Sequence, residues 1–507
     1  MTAVALLALL ATALPVLYLL VRLSEAGIQR SLETLLGART WELMGNSLAL
    51  VAAVTATAVA VGSAQAVLVV KTDLAGRRWF AALAILPLAV PSYIAAYSWL
   101  GALPVFHGFG AAWLVLSLGT SPYVFLAVAA ALLVTNSAQE EVAQSLGRTP
   151  WQVTRSVVWP SARPAAAASA LLVALYTLSD FGAVSLLRFD TFTRAIFNTY
   201  RSSFDRTSAA VLAVALVAVS AALVLLQRRL AAPVAASPRS ARRNLLRIAS
   251  GRPAAYIFLS LAALLGVGVP LFSLARWSLV GLSQADLAEV GRALVNTAGY
   301  ALAGGAVTAV LAFAVALVNV RYRPRWAGAL DLTMWLGHAL PGVVVALALV
   351  FLSNAALPAI YQTSAIVVVA YAALFTPNAV AALSAPMRQL STSLDDVARS
   401  LSASPLAVLR RVVAPALWPS IASSFSLIAL TVIKELPATL LLRPTGIETL
   451  ATRLWSQTSI SAFSAAAPYA LLLVVLAGIP ALLMNQQVRQ TLAPVPDRAE
   501  AEAEVAA

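Results

Sequence analysis

Glu141-Val-Ala-Gln-Ser-Leu-Gly-Arg-Thr-Pro150 runs on through Arg155, Val157, Val158 and Pro160 to Pro164. Asp396-Val-Ala-Arg-Ser-Leu-Ser-Ala-Ser-Pro405 runs on through Arg410, Val412, Val413 and Pro415 to Pro419. The two stretches are offset by a constant 255 (396 − 141), need no gap, and are identical at 11 of 24 positions. Apolar membrane helices resemble one another cheaply because they draw on few residue types. A polar loop does not, so two matched loops imply one recurring partner and a chain built of two lobes.

The surroundings of these loops are strongly apolar. Of 507 residues, 61% are hydrophobic and 11% charged, with a mean hydropathy of +0.87. Soluble domains carry roughly 25% charged residues. Apolar runs of about 20 residues recur, the length that crosses a bilayer as a helix, and the alternation of a membrane barrel is missing. An all-α integral membrane protein follows. The net charge of +14 belongs to arginines in short loops beside spans, where topology explains them, so no nucleic-acid partner is expected. With no cysteine, disulfides, thiolate metal sites and cysteine nucleophiles are excluded.

Hydropathy predicts about twelve spans: 3–21, 46–70, 80–100, 111–134, 162–186, 208–227, 254–275, 296–319, 326–352, 362–384, 420–442 and 465–484. Lys71, Arg77 and Arg78, then Arg228 to Arg252, then Arg321, Arg323 and Arg325 alternate onto one face, which the positive-inside rule makes cytoplasmic. Both polar loops fall on that face, as do both termini. The 22–45 stretch is discordant, because Arg22, Arg30 and Arg39 fall outside.

The duplication extends beyond the loops. Asn46-Ser47 and Asn296-Thr297 each open an apolar run, and Pro91 and Pro341 lie inside corresponding spans. Ser121-Pro122 matches Thr376-Pro377, and Asp180-x-x-Ala183 with Leu187-Arg188 matches Glu435-x-x-Ala438 with Leu442-Arg443. Six spans per half is an even number, so the halves are parallel repeats. The expected layout is a first span and outer segment over 1–43, a transmembrane domain over 44–228 and a cytoplasmic linker over 229–253. A connecting span and outer segment over 254–293, a second transmembrane domain over 294–486 and a disordered cytoplasmic tail over 487–507 follow.

Each polar loop reads as helix, break, helix. Ser137-x-x-Glu140 and Ser393-x-x-Asp396 fit capping boxes. Gly147 suits a left-handed helix end. Thr149-Pro150 and Ser404-Pro405 put an N-cap residue before a first-turn proline, and Pro160 and Pro415 predict a further bend. The product is a short helix across the membrane surface with Val142, Ala143 and Leu146 on one side, shaped for a partner's groove.

These residues resemble the cytoplasmic loop of ABC importer permeases. Glu141, Ala143, Gly147, Val157 and Pro160 stand at the places of that family's Glu-Ala-Ala, Gly and Ile-x-Leu-Pro pattern; Asp396, Ala398, Val412 and Pro415 stand there in the second copy, where Ser402 replaces the glycine. The resemblance implies the type I importer permease fold as two fused domains of about twelve helices in all. It also implies that Glu141, Ala143, Gly147, Pro160, Asp396, Ala398, Ser402 and Pro415 belong to coupling helices seated in two copies of an ABC ATPase. No phosphate-binding Gly-rich motif occurs in the chain itself. ATP and magnesium are therefore expected on the partner ATPase, with no cofactor or metal on this chain, alternating access as the mechanism and an inner-membrane location. A periplasmic or lipid-anchored substrate-binding protein and membrane lipid complete the expected partners.

Charged residues inside spans are costly. Asp180 and Glu435, with Lys434 beside the latter, are candidates to flank the translocation path; interfacial anchoring or a local ion pair is the competing reading. Arg188 and Arg443 are candidates for the outer mouth, where they meet acids of the binding protein or snorkel to lipid phosphate. His107 and His338 are the only histidines; Asp331 shares a helical face with His338, but two such groups make a poor metal site. Trp79, Trp99, Trp326 and Trp455 lie near span ends and fit an interfacial belt. No catalytic constellation is present, so the chain is not expected to be an enzyme.

Lys434-Glu435-Leu-Pro437-Ala-Thr-Leu-Leu-Leu-Arg443-Pro444 and Ser179-Asp180-Phe181-Gly182-Ala183 resemble segments of fused ferric-iron permeases. Thiamine and phosphonate permeases share part of this pattern. A major-facilitator transporter also has twelve spans in two halves, but would show a basic signature between its second and third spans, and none is evident.

Overall fold

The computed structural model describes residues 2–135, 137–202, 206–230, 245–246, 251–338, 340–391, 400 and 404–491. Helices make up nearly all of them, and among the described residues the only β pairing is an isolated parallel bridge between Thr72 and Leu246. Nine described helices are long and apolar enough to cross a membrane, or eleven when each of two bent pairs is taken as one span. The last hydropathy segment, 465–484, lies within the helix Phe463–Thr491.

The bent pairs correct the sequence reading of 80–100 and 326–352 as single spans. Arg77–Ala89 and Ser92–Ala102 meet at 98°, and Ala327–Gly337 and Gly342–Ala356 meet at 111°. Pro91 and Pro341 stand at the breaks with extended backbone, ψ 147° and 142°. Each then lends its carbonyl to the first N–H groups of the second arm. A proline fixes φ and has no N–H to donate, so it opens an arm more readily than it continues one.

The predicted spans 162–186 and 420–442 are shifted. The helix after the first polar loop runs from Pro150 to Ser179, and its counterpart runs from Leu406 to Ile433. Each passes through a π turn, Thr154–Val158 and Leu409–Val413, placed 255 apart. The bend expected at Pro160 and Pro415 is therefore no break. The widened turn just before each proline absorbs the missing donor and the ring clash, and the helix continues.

The described chain packs as two compact units. One comprises Met1–Leu48, Leu178–Leu225 and Arg276–Ala477. Its centre is Leu287–Ala316, packed on Ser364–Gln389 and Ala414–Ile433. Gly304 and Gly305 set that spacing: a Cβ on Gly304 would stand 2.9 Å from the Tyr371 ring, and one on Gly305 3.1 Å from the Phe425 ring. Small residues are how membrane helices approach closely, since dispersion replaces the hydrophobic effect there. The chain's first helix, Thr2–Ala26, also packs here, on Leu287–Ala316 and Gly342–Ala356, and Tyr18 donates to the Phe351 carbonyl at 3.2 Å.

The other unit comprises the described residues within Ala49–Thr177, Leu226–Ala275 and Gly478–Ala507. Gly62 lets Ala38–Lys71 approach Phe109–Leu133 so closely that a Cβ there would meet Val124 Cβ at 2.7 Å. Arg252–Ala263, though it opens the second half of the chain, packs on Arg77–Ile85, its Ala255 and Leu259 clustering with Phe80 and with Leu74 just before that helix. The leading helix of each half thus serves the core of the other half.

Candidate functional site

The first polar loop folds as helix, break, helix. Ser137–Ser145 is a helix. It ends at Gly147 in the left-handed region, φ +76°. The Gly147 N–H reaches Gln144 O at 2.9 Å and the Arg148 N–H reaches Ala143 O at 3.2 Å, the paired bonds that close a helix on a left-handed residue. Thr149 then caps Pro150–Val153 reciprocally: its N–H donates to Gln152 Oε1 at 2.9 Å and its hydroxyl accepts from the Gln152 N–H. Arg148 braces the turn by donating to Ser156 Oγ at 2.8 Å.

Burial divides the faces of this helix and its turn differently from the sequence expectation. Ala143 is buried, so it does not share a side with Val142 and Leu146, both exposed. Glu141, Val142, Leu146 and Trp151 form the outward set, a carboxylate among apolar side chains. Pro160 is exposed further along.

Glu140 turns the other way. It is 1% exposed, and its Oε1 lies 2.6 Å from Lys71 Nζ, itself 7% exposed. Lys71 also donates to Thr135 Oγ1 at 2.7 Å. The capping box expected from Ser137-x-x-Glu140 is thus not the use made of this carboxylate, since a buried charge is tolerated only when paired. Sequence reading counted Lys71 among the topology-setting cations and missed the pair, because the partners are 69 residues apart. The available signal was the doubled acid Glu140-Glu141, whose members point about 100° apart on a helix and so need not share one environment.

Of the second copy, Asp396, Ala398 and Ser402 lie outside the described residues. From Ser404 the pattern matches the first copy: Ser404 Oγ accepts from the Ala407 N–H at 3.3 Å, and Pro415 lies in the first turn of Ala414–Ile433.

Asp180 and Glu435 fall in breaks just past the span ends, a correction to their reading as residues within spans. Asp180 is buried, and its Oδ1 accepts from the N–H groups of Ala183 (3.0 Å) and Val184 (3.2 Å), capping the turn Gly182–Leu186. Glu435 does the same for Pro437–Leu442, with Oε1 on the Ala438 N–H at 3.1 Å and Oε2 on the Thr439 N–H at 3.2 Å. Lys434 is the residue that ends Ala414–Ile433, and the Glu435 carboxylate turns to the backbone rather than to its neighbour.

The two arginines part company. Arg188 is exposed, in the left-handed region at φ +56°. Arg443 donates to the Ile447 carbonyl at 2.7 Å and pairs with Glu448 at 2.7 Å. The Asn-Ser and Asn-Thr repeats acquire a purpose on this side. Ser47 Oγ accepts from the Phe192 N–H at 3.1 Å, and Thr297 Oγ1 accepts from the Leu450 N–H at 2.9 Å, so each seats the first residue of a short helix, Phe192–Ser202 or Leu450–Ser459. Ion pairs tie the same elements with reversed charge: Arg39 to Asp190 at 2.6 Å in one half, and Glu289 to Arg453 in the other.

Trp455 and Trp99 are buried and leave the interfacial belt to exposed Trp79 and half-buried Trp326. Trp455 packs on Phe181 and Phe197. The histidines stand apart: His107 is exposed, and the His338 ring bonds to the Met334 carbonyl at 2.9 Å. Asp331, expected to share its helical face, accepts from Asn319 at 3.2 Å. Among the described residues no group of three or more His, Asp or Glu is arranged to hold a metal ion.

Comparison with known proteins adds the following. The family described as "Binding-protein-dependent transport system inner membrane component" matches twice, over residues 57–235 and 305–490. The chain is 34% identical over 481 residues to the Fe(3+)-transport system permease protein FbpB 2 of Haemophilus influenzae (strain ATCC 51907 / DSM 11121 / KW20 / Rd), covering 93% of this chain and 95% of that protein. It is 26% identical over 342 residues to the ferric transport system permease protein FbpB of Actinobacillus pleuropneumoniae, covering 63% of this chain and 50% of that protein.

Proposed function

This chain belongs to the family of binding-protein-dependent transport system inner membrane components, and we propose that it is the permease of an ATP-driven ferric-iron importer. It is a multi-pass transport subunit of ABC type with two fused copies of the family domain. Its sequence domains are taken as 44–228 and 294–486, with both termini and the repeated loops on the cytoplasmic side.

The observation that carries the mechanism is the outward face of the first loop. Glu141 and Val142 are exposed on the helix Ser137–Ser145, Leu146 in the turn after it and Trp151 on the next helix, while Ala143 and Glu140 fix the other side of the first. That face fits a groove on an ATPase subunit, and the second loop, with Asp396, Ala398, Ser402 and Pro415, is assigned a second copy of the same subunit. ATP and magnesium bind there and not on this chain. Closure of the two ATPases draws the loops together and rocks the halves between inward and outward access. A periplasmic or lipid-anchored binding protein delivers the substrate, and Arg188 is the exposed cation available to it.

The assignment of ferric iron rests on the relatives named above, chiefly the Fe(3+)-transport permease matched along 93% of this chain. Asp180, Glu435 and Lys434 remain the candidates beside the path, with both carboxylates held by helix N-termini. The deciding experiment is reconstitution in proteoliposomes with the ATPase and the binding protein. ATP-dependent uptake of ferric ion, and none of thiamine or a phosphonate, is expected. Uptake without the ATPase would sink the proposal.

A further inference from the structure

Glu140 and Glu141 are consecutive, yet one carboxylate faces the partner side and the other is enclosed by the protein. The enclosed one meets Lys71, the last residue of Ala38–Lys71, at 2.6 Å. Its second oxygen, Oε2, is buried and has no hydrogen-bond partner among the described residues. Lys71 Nζ is therefore the group that neutralises Glu140, and Thr135, two residues before the lever helix, shares the same ammonium at 2.7 Å.

The residues that follow Lys71 hold a second element. The Leu246 N–H donates to the Lys71 carbonyl at 2.8 Å, and the Asp73 N–H donates to the Leu246 carbonyl at 3.3 Å. Leu246 is buried in that bridge. Arg252, the first residue of Arg252–Ala263, pairs with Asp73. Three elements thus converge on residues 71–73: the lever through Lys71, the connector through Leu246, and the leading helix of the second half through Arg252. All of these residues belong to one compact unit.

From this geometry we infer that Lys71 is a positioning residue for transport, the tie through which displacement of the first docking helix is passed to the Ala38–Lys71 span. A helix seated only on apolar contacts can slide or tilt without moving its neighbour. A buried ion pair with one oxygen left bare cannot be stretched without exposing charge to a medium that does not solvate it. The second half has a basic residue at the matching place: the offset of 250 that aligns Asn46 with Asn296 places Arg321 opposite Lys71. Arg321 donates to the Ser391 carbonyl at 3.4 Å, at the entrance to the second loop.

The inference rests on the reading that the lever docks an ATPase, and its test separates the two. In proteoliposomes holding the full complex, the ratio of ferric ion taken up to ATP hydrolysed is measured. Lys71→Met should assemble and hydrolyse ATP within about twofold of the unaltered complex while the ratio falls about tenfold, the size expected for a residue carrying coupling. Lys71→Met with Glu140→Gln removes both charges, guards against misfolding of the single variant, and should also lower the ratio. The exchange Lys71→Glu with Glu140→Lys should restore most of it. A ratio unchanged in the double neutral variant, or uptake and hydrolysis falling in parallel with assembly, overturns the role of Lys71. An unaltered complex that shows no ATP-dependent uptake would instead sink the importer reading.

Discussion

The rings of Phe181 and Trp455 lie with centroids 5.1 Å apart, joining the break after one long span to the short helix Leu450–Ser459 of the other half. Phe197 closes the triangle at 4.8 Å from Phe181 and 6.5 Å from Trp455. Aromatic pairs contribute about 0.5–1.5 kcal/mol each beyond their buried area. Trp455→Ala should therefore lower the melting temperature of the purified chain clearly, whereas Trp41→Ala, at an exposed ring near the start of Ala38–Lys71, should leave it nearly unchanged. Equal shifts for the two variants would place Trp455 in the lipid belt after all.

The adjacent acids of the first lever should separate by assay. Removing one partner of a buried pair costs about 3–5 kcal/mol, so Glu140→Ala should lower thermal stability. Glu141→Ala should leave stability within about 0.5 kcal/mol, as surface substitutions usually do, and weaken retention of the ATPase on co-purification. Loss of stability from Glu141→Ala with retention intact would exchange the two roles.

Gly147 needs its left-handed backbone and not its lack of volume, since a Cβ there would meet nothing within 4 Å. The cost of an L-residue is about 1–2 kcal/mol, less for asparagine. Gly147→Asn should thus keep most ATPase binding and Gly147→Val should lose it. Identical behaviour of the two would mean that the turn does not set the lever's angle.

Asp180→Asn keeps the acceptor that holds the Ala183 and Val184 N–H groups, because both bond to one oxygen. Glu435→Gln does not, because Glu435 uses both oxygens. An NH2 set against a buried N–H costs about 1–3 kcal/mol, so Glu435→Gln should melt lower than Asp180→Asn. If the carboxylates serve the path, Asp180→Asn should assemble fully and still take up less ferric ion. Unchanged uptake in an intact complex removes Asp180 from the path.

The hinge of the first lever was legible in the sequence because turn chemistry is local. Gly147 and Thr149-Pro150 stand where a helix end and a helix start require them, and the structure uses both as read. Hydropathy likewise located the apolar segments, since membrane length is a property of a single run. It did not see the breaks at Pro91 and Pro341, where a proline inside an apolar run leaves the average hydropathy unaltered.

The same locality explains what was misread. Asp180 and Glu435 looked like charges within spans because apolar residues continue past them, whereas the helices stop at Ser179 and Ile433. Trp455 looked like a belt residue because it lies near a span end. Its burial depends on Phe181 and Phe197, which no window around Trp455 contains.

By itself the sequence determined a membrane chain of two repeated halves, with a polar loop recurring in each, because residue type and spacing along one stretch fix hydropathy, turns and caps. Only the tertiary structure decided that Glu140 turns inward to Lys71 while Glu141 stays exposed, and that each leading helix packs in the other half. Those outcomes depend on which distant groups meet in a low-dielectric interior, where a charge must find its opposite and a glycine admits a neighbour. That choice is made by packing and not by local order.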